Sequence, residues 1–175
     1  MIVLLAGVSG CGKTTVGQLL ARRLDWPFID GDSLHPAANI AKMRAGVPLT
    51  DEDRWPWLEA VAAVMDDHIA AGRPAVIACS ALKRSYRDLL AGGRPTARLV
   101  FLDAGRDLLA ARLAARHGHF FRADLLDSQL ATLENPQPGE RVLTVPAAGP
   151  ADQVAEQIIS RLRLRITPGQ AARPE

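Results

Sequence analysis

The amino-acid sequence predicts an α/β fold built around a parallel sheet. Short runs of apolar residues, each about as long as a strand, alternate along the chain with segments that carry apolar residues at helical spacing. The runs are apolar at successive positions, which is typical of parallel strands covered by helices on both faces. Because strand and helix alternate throughout, the order of elements favours an α/β architecture.

Five strands are predicted, at residues 2–6, 27–30, 74–80, 97–103 and 141–145. Five helices are predicted from apolar residues that recur on one helical face. Their apolar positions are Val16, Leu19, Leu20 and Leu24; Leu58, Val61, Ala62, Met65 and Ile69; Leu109 and Leu113; Leu126, Leu130 and Leu133; and Val154, Ile158 and Leu162.

Length and composition indicate one globular domain. The chain of 175 residues is 48% hydrophobic and 23% charged, which is ordinary for a soluble globule. No internal repeat or interdomain linker is visible in the sequence. We predict a single domain over residues 1–166 and a flexible tail over residues 167–175, where proline, glycine and polar residues are concentrated.

Charge and motif content argue against several classes of partner. A formal net charge of +2 is too small to predict nucleic-acid binding. No apolar run approaches the roughly 20 residues of a membrane span, and the apolar start lacks the basic leader and cleavage site of a secretory signal. The two cysteines, Cys11 and Cys79, make no disulfide framework or zinc motif. We therefore expect a cytoplasmic protein without a nucleic-acid or membrane partner.

The stretch GVSGCGKTT, directly after the first predicted strand, is the most specific motif in the chain. It matches G-x-x-x-x-G-K-[ST] at every fixed position, with a strand before it and a helix after it. Glycines in such a loop let backbone N–H groups converge on a phosphate, and the helix adds its positive N-terminal end. Lys13 is expected to reach the β- and γ-phosphates, and the Thr14 hydroxyl to bind Mg²⁺. The predicted nucleotide-binding residues of the loop are Gly7, Val8, Ser9, Gly10, Cys11, Gly12, Lys13, Thr14 and Thr15.

A nucleoside triphosphate site in so short a chain predicts a kinase. Neither asparagine, Asn39 or Asn135, is followed by lysine, so the Asn-Lys-x-Asp guanine reader of a typical GTPase is missing. A motor or transporter ATPase would need a longer chain. A small P-loop kinase also has to hold an acceptor and exclude water, and candidate residues for these tasks follow the later strands.

Asp30, Asp32 and His35 come at the end of the second predicted strand, on the side of the sheet where ligands bind in open α/β folds. Residues two apart in an extended segment share a face, so both carboxylates are expected to point toward the phosphates. Asp32 is a candidate to orient the acceptor hydroxyl or accept its proton, and Asp30 to hold a Mg²⁺-bound water. The alternatives are that an aspartate caps the helix beginning near Pro36 and that His35 completes a turn.

Basic residues at three further places are candidates for binding anions. Arg54 lies in the first turn of a predicted helix, where the helix dipole disfavours a cation unless an anion faces it. Lys83 and Arg84 follow the third strand and are expected at the same rim of the sheet. Arg112 and Arg116 share a helix face before a glycine and aromatic residues, which favours a flap that closes over phosphates. The alternative interpretations are a surface salt bridge for Arg54, a solvated helix start for Lys83 and Arg84, and a solvated helix face for Arg112 and Arg116.

Together these motifs resemble the gluconokinases, small P-loop kinases of the shikimate and nucleoside-monophosphate kinase superfamily. The resemblance runs from Ile2 to about Leu162 and is most specific in DGDSLHP, NIAKMRAGVPLTDEDRWPWL, CSALKRSYRDLL and GHFFRADLLDSQLATLENP. It implies transfer of the γ-phosphoryl group of ATP to the 6-hydroxyl of D-gluconate, with ATP and Mg²⁺ as cofactors. It also implies a homodimer and a P-loop NTPase fold with strand order 2-3-1-4-5 and a mobile lid over about residues 112–124.

The same resemblance suggests where individual residues act. Arg112 and Arg116 would lie near adenine and phosphate in the lid. Lys13, Asp32 and Arg116 are the candidate catalytic residues, and Thr14 and Asp30 are the candidates near the metal. The gluconate side would be lined by Asp32, His35, Arg54, Lys83 and Gln129.

Two other functions remain as alternatives at this point. A shikimate or nucleoside-monophosphate kinase would share the phosphate loop, but shikimate kinases carry a glycine triplet after the third strand, where this chain has CSALKR. A nucleotide-dependent switch without a small acceptor would bind ATP but would not release ADP in response to gluconate.

Overall fold

The computed structural model of the protein describes residues 1–115 and 123–166. Within these residues, five parallel strands form one sheet in the order β2-β3-β1-β4-β5. The strands are β1 (Ile2–Ala6), β2 (Phe28–Asp30), β3 (Ala75–Ala78), β4 (Ala97–Asp103) and β5 (Val142–Pro146). The predicted α/β class and strand order are confirmed, and each strand lies within two residues of its predicted position.

Helices cover both faces of the sheet. The described chain contains α1 (Lys13–Leu24), α2 (Ala37–Arg44), α3 (Asp51–Ala70), α4 (Arg84–Arg87), α5 (Arg106–Ala114), α6 (Ala123–Thr132) and α7 (Ala151–Leu162). A 3₁₀ turn (Gly31–Leu34) joins β2 to α2, and a π-helical segment (Asp88–Gly92) continues α4. All five helices predicted from apolar spacing are present. No helix of the described chain is both long and apolar enough to span a membrane.

Alternate residues of the central strand β1 enter two separate cores. Val3 and Leu5 pack with apolar residues of α1 and α7 on one face of the sheet. Ile2 and Leu4 pack on the other face with residues of α3, including Leu58. Every residue of β1 is buried, because helices cover both faces of this strand, and this explains why its sequence is apolar throughout.

The register of the strands brings three connecting segments together at one edge of the sheet. Leu5 of β1 and Asp30 of β2 both pair with Ala78 of β3. The backbone N–H of Gly7, just after β1, donates to the carbonyl of Ser80, just after β3, at 3.1 Å. The glycine-rich loop, the turn after β2 and the segment after β3 therefore start side by side.

Some predicted features lie outside the described residues. The tail predicted over residues 167–175 comes after the last described residue, 166. Arg116 and the rest of residues 116–122, which make up the centre of the predicted lid, also lie outside the described residues. The domain boundaries, the lid and the tail therefore stay predictions.

Candidate active site

The glycine-rich loop connects β1 to α1 in a conformation that its glycines permit. Gly7 has φ 136°, and a Cβ atom on it would lie 2.8 Å from the carbonyl oxygen of Leu102. Gly12 has φ 103° and immediately precedes α1; residues with a side chain rarely adopt such angles. The Lys13 ammonium donates to the carbonyls of Gly7 at 2.8 Å and Val8 at 3.2 Å. The lysine therefore lies against the loop in which a phosphate would bind.

Two cavities lie against this loop, and the loop contributes residues to both. The α3-side cavity, of about 360 Å³, is lined by Ser9, Lys13, Asp32, His35, Ile40, Met43, Arg44, Val47, Pro48, Leu49, Arg54, Ser80, Ser128 and Gln129. The α5-side cavity, of about 300 Å³, is lined by Gly10, Cys11, Gly12, Thr15, Val16, Arg112, Ala115, Ala147, Gly149, Ala151 and Val154. Two cavities that share a phosphate loop have the arrangement that a phosphoryl transfer between two bound molecules requires.

Four of the five residues predicted on the gluconate side line the α3-side cavity. Asp32 comes from the 3₁₀ turn after β2, and His35 follows that turn. Arg54 comes from the first turn of α3, which Thr50 caps, and Gln129 comes from α6. The fold thus brings together side chains that are up to 97 residues apart in sequence, from Asp32 to Gln129.

Arg54 is a buried cation beside this cavity. The residue is 8% exposed, and its Nε donates to the backbone carbonyl of Leu49 at 3.3 Å. Among the described residues, no carboxylate lies within ion-pair distance of its guanidinium. A buried charge is costly unless it is paired, so the open space beside Arg54 favours an anionic ligand.

The prediction that Asp30 and Asp32 share one face of an extended segment is wrong. β2 ends at Asp30, and Gly31 begins the 3₁₀ turn at a point where a Cβ atom would collide with the carbonyl oxygen of Ala78. The Asp30 carboxylate accepts a hydrogen bond from the backbone N–H of Asp32 at 3.1 Å and so caps the turn. Asp32 lines the α3-side cavity, and Asp30 lies outside its described lining. Asp30 thus caps this turn and not the helix after Pro36, which has no side-chain cap. Its place near Mg²⁺ stays a prediction.

Lys83 and Arg84 are bound to acidic side chains instead of facing the cavity. The Lys83 ammonium donates to both carboxylate oxygens of Asp51, at 2.8 and 2.7 Å, and the Tyr86 hydroxyl donates to the same carboxylate at 2.6 Å. The hydrogen bond from Lys83 has the largest effect in lowering the pKa of Asp51, and the one from Tyr86 lowers it further. Arg84 is exposed and pairs with Asp88 at 3.6 Å. Both cations are thus held in ion pairs at the start of α4, and contact between Lys83 and gluconate stays a prediction.

Arg112 lies in the wall of the α5-side cavity. Its guanidinium donates to the carbonyls of Cys11 at 3.2 Å and Ala147 at 2.8 Å, which ties α5 to the phosphate loop and to the segment after β5. This position suits the predicted role near adenine and phosphate. The partner in that prediction, Arg116, lies outside the described residues.

Gln129 connects α6 to the phosphate loop. Its Oε1 accepts a hydrogen bond from the backbone N–H of Ser9 at 2.8 Å, and its Nε2 donates to the Ser9 hydroxyl at 3.2 Å. Gln129 therefore lines the α3-side cavity and also holds the adjacent part of the loop in place.

Comparison with known proteins identifies the family. The sequence model of the shikimate kinase family matches residues 9–163. A gluconokinase from Gluconobacter oxydans is 49% identical over 157 residues, which are 90% of this chain and 88% of that protein. The chain belongs to the gluconokinase family. The prediction from its motifs is confirmed, and the match to the shikimate kinase model reflects the wider group to which gluconokinases are related.

Solved structures agree with this membership of the gluconokinase family. The crystal structure of a gluconokinase from Sinorhizobium meliloti is 44% identical, with a TM-score of 0.79, and the match covers 91% of both chains. The unliganded structure of a sugar kinase from Janibacter is 43% identical, with a TM-score of 0.87, and the match covers 93% of this chain and 94% of that one.

Membership in a kinase family implies a nucleotide substrate and, in most kinases, Mg²⁺. Thr14, exposed in the first turn of α1 next to Lys13, stands where P-loop proteins bind this ion. Among the described residues, no three histidine, cysteine, aspartate or glutamate side chains form a cluster that could hold a metal. Mg²⁺ usually keeps several waters and is bound through substrate phosphates and one or two protein groups. The single hydroxyl of Thr14 fits that mode of binding.

Several residues at the α3-side cavity were not predicted as site residues, although they lie in the stretch NIAKMRAGVPLTDEDRWPWL that carries the resemblance. Ile40, Met43 and Leu49 form part of an apolar wall of the α3-side cavity, but their sequence pattern is that of any helix and loop packed on a core. Asn39 is buried beside His35, and a lone asparagine gives no functional signal. The stretch is similar to gluconokinases, but it gives these residues no separate role, and their place beside the cavity follows from the fold.

His35 is held in an environment that disfavours its charged form. Its ring stacks on Trp57 with centroids 4.1 Å apart. Burial, and secondly the nearby charge of Arg54, lower its pKa from 6.5 to about 4. Because the folded-state pKa lies below the unfolded one, this histidine contributes stability that is fully present above pH 6.5 and is lost as the pH falls toward about 4.

We therefore expect the free energy of unfolding to decrease between about pH 6.5 and pH 4, and to decrease less in His35→Gln, which has no titrating ring. Urea denaturation at a series of pH values measures both slopes. Equal slopes for the wild type and His35→Gln would contradict a neutral, buried His35.

Proposed function

We propose that the protein transfers the γ-phosphoryl group of Mg-ATP to the 6-hydroxyl of D-gluconate, giving 6-phospho-D-gluconate and ADP. Membership in the gluconokinase family supports the reaction. The two cavities that share a phosphate loop support the assignment of the nucleotide to the α5 side and of gluconate to the α3 side.

The observation that carries the proposal is the buried Arg54 guanidinium without a carboxylate partner among the described residues. Gluconate is an open-chain acid whose carboxylate is ionised at pH 7, and an arginine can bind a carboxylate through two parallel hydrogen bonds. With the carboxylate at Arg54, an extended six-carbon chain would direct its far hydroxyl toward Asp32 and Lys13, which line the same cavity.

In this proposal each group of residues has one task. Lys13 neutralises charge on the transferred phosphoryl group, and Asp32 orients the 6-hydroxyl and accepts its proton. Thr14 binds Mg²⁺, and Asp30 holds a water of the ion. His35, Gln129 and Lys83 complete the gluconate side. Arg112 and Arg116 act in a lid over about residues 112–124 that excludes water, with Arg116 stabilising the developing charge.

The test of the proposal is ADP release in a coupled assay at saturating Mg-ATP, with gluconate, with shikimate and without acceptor. We expect release only with gluconate, and a product one phosphoryl group heavier than gluconate by mass spectrometry. Release with shikimate alone would assign the chain to the other branch of the superfamily. Tight ATP binding with no acceptor-dependent release would favour a nucleotide-dependent switch.

Specificity for the acid over the sugar gives a further prediction. Glucose offers similar hydroxyls but no charge, and binding it would leave Arg54 desolvated without a partner, at a cost of about 2–5 kcal/mol. We expect kcat/KM for gluconate to exceed that for glucose by roughly a hundredfold or more, and Arg54→Ala to remove most of this preference by weakening gluconate alone.

Steady-state kinetics with both acceptors measure this preference. Arg84→Ala is the matched control, because Arg84 is exposed, pairs with Asp88 and does not line the cavity. It should keep the wild-type preference. Glucose turnover by the wild type within about tenfold of gluconate turnover would exclude a carboxylate site at Arg54.

The resemblance to gluconokinases supports two broader proposals, a homodimer and a cytoplasmic location. Sedimentation equilibrium of the purified protein tests the dimer, and fractionation of the source cells tests the location.

A further inference from the structure

His35, just before α2, and Asn39, in the first turn of α2, face each other. Asn39 is 3% exposed, its Nδ2 donates to the backbone carbonyl of Asp53 at 2.7 Å, and the same Nδ2 lies 3.3 Å from Nδ1 of His35. A carbonyl oxygen can only accept, so the Asp53 carbonyl requires the NH₂ end of the Asn39 amide at this place. The second hydrogen of that NH₂ group is therefore the one that faces His35.

This arrangement determines which ring nitrogen of His35 carries the proton. With an N–H of Asn39 pointing at it, Nδ1 has to be the acceptor, and the proton of the neutral ring lies on Nε2. A protonated Nδ1 would face the Asn39 amide hydrogens, and rotating the amide would place its oxygen against the Asp53 carbonyl. Both alternatives bring like partial charges together. The lowered pKa of His35, to about 4, agrees with a neutral ring.

Trp57 also holds the His35 ring in position. The His35 and Trp57 rings stack at 4.1 Å with an interplanar angle of 16°. The Trp57 Nε1 in turn donates to the carbonyl of Gly31 at 2.7 Å, at the start of the turn that carries Asp32. Trp57 thus sets the plane of the ring, and Asn39 sets which edge faces the protein.

The other edge of the ring is available to a ligand. His35 lines the α3-side cavity. Within the described chain, no group hydrogen-bonds Nε2 of His35, and this atom is not among the buried polar atoms that lack a partner. Nε2 is therefore not fully buried, and the cavity that His35 lines is the space in which its N–H can donate to a ligand.

We infer that Asn39 is a positioning residue for acceptor recognition, which holds His35 as the Nε2–H tautomer so that the ring donates a hydrogen bond to an oxygen of the acceptor. The identity of the acceptor in this inference rests on the proposed function. The tautomer of His35 and the role of Asn39 rest on the contacts of Asn39. Because Nε2 already carries a proton, His35 cannot accept the proton of the acceptor hydroxyl. That task falls to Asp32, and His35 selects for an oxygen atom with a free lone pair.

The first test reads the tautomer in the ligand-free wild-type protein. Long-range ¹H–¹⁵N correlation spectra distinguish a protonated ring nitrogen from an unprotonated one, and the signals that disappear in His35→Gln identify this ring among the four histidines of the chain. We expect a protonated Nε2 in the wild type, and a mixture of tautomers in Asn39→Ala. A protonated Nδ1 in the wild type would overturn the inference.

The second test compares two amide replacements of His35. The amide nitrogen of glutamine reaches the place of Nε2, whereas that of asparagine reaches only the place of Nδ1. We expect His35→Gln to have a KM for gluconate at least about tenfold lower than that of His35→Asn, with similar KM values for ATP. Asn39→Ala should raise the KM for gluconate by about tenfold relative to the wild type and leave the KM for ATP unchanged. Equal KM values for gluconate in the two His35 variants would overturn the inference.

The outcomes separate this inference from the proposed function. If the wild type shows no gluconate-dependent ADP release, the proposed function fails, while the tautomer of the ligand-free protein still decides the role of Asn39. If Asn39→Ala does not fold, the wild-type spectrum and the two His35 variants decide it. If gluconate is the acceptor but the wild-type ring is protonated on Nδ1, the inference alone fails.

Discussion

Replacing Lys13 by methionine is expected to lower turnover by about a hundredfold or more. Methionine keeps the length of the side chain and removes the charge, and loss of one such contact to a developing transition-state charge costs about 3 kcal/mol or more. The Lys13 ammonium is bound only to two loop carbonyls in the described chain, at 2.8 and 3.2 Å. It is therefore free of carboxylate partners that would compete with a phosphate.

The matched control for this variant is Lys42→Met. Lys42 pairs with Asp53 at 2.7 Å on the outer side of α2 and lines neither cavity. A partly exposed ion pair of this kind contributes little to stability, so Lys42→Met should keep near-normal turnover. If Lys13→Met retained more than half of the wild-type rate with gluconate, the assignment of the glycine-rich loop to phosphate binding would be wrong.

The second large effect is expected for Asp32→Asn. An amide has almost the shape of the carboxylate but cannot accept a proton, so turnover should fall by about a hundredfold or more, while the affinity for ATP stays close to the wild-type value. Nucleotide titration and steady-state kinetics on the same preparation measure the two quantities. A parallel loss of both would make Asp32 a structural or metal-holding residue.

Asp30→Asn is the informative companion to this variant. The Asp30 carboxylate caps the 3₁₀ turn by accepting a hydrogen bond from the backbone N–H of Asp32, and an asparagine oxygen can accept the same bond. The turn should therefore persist. A loss of activity that higher Mg²⁺ concentrations reverse would support the predicted place of Asp30 near the metal. Unchanged kinetics would show that Asp30 only caps the turn.

The sheet and the helices that pack on it could be predicted from the sequence because burial alone determines their pattern. β1 is buried at all five positions and is apolar at all five. Along α3, Leu58, Val61 and Met65 recur at helical spacing because one face of the helix packs on the sheet. At the start of that helix, Thr50 and Asp53 form a capping box, and residues of these types favour a helix start.

The features of the site that could not be predicted from the sequence depend on contacts between distant segments. Asp32 was expected to share an extended segment with Asp30. The strand instead ends at Asp30, and Gly31 packs against the carbonyl of Ala78 in the neighbouring strand. Lys83 was expected to face the cavity, but Asp51, 32 residues earlier, binds its ammonium. No local pattern reports such a partner. The glycine-rich loop could be located from the sequence because its motif occupies consecutive residues between a strand and a helix.

The most direct test of the account is a crystal structure of the protein with D-gluconate and a non-hydrolysable ATP analogue. We expect gluconate in the α3-side cavity, with its carboxylate bound to the Arg54 guanidinium and its 6-hydroxyl hydrogen-bonded to Asp32. The terminal phosphate of the analogue should contact Lys13. Gluconate bound outside this cavity, or bound inside it with the carboxylate away from Arg54, would contradict the account.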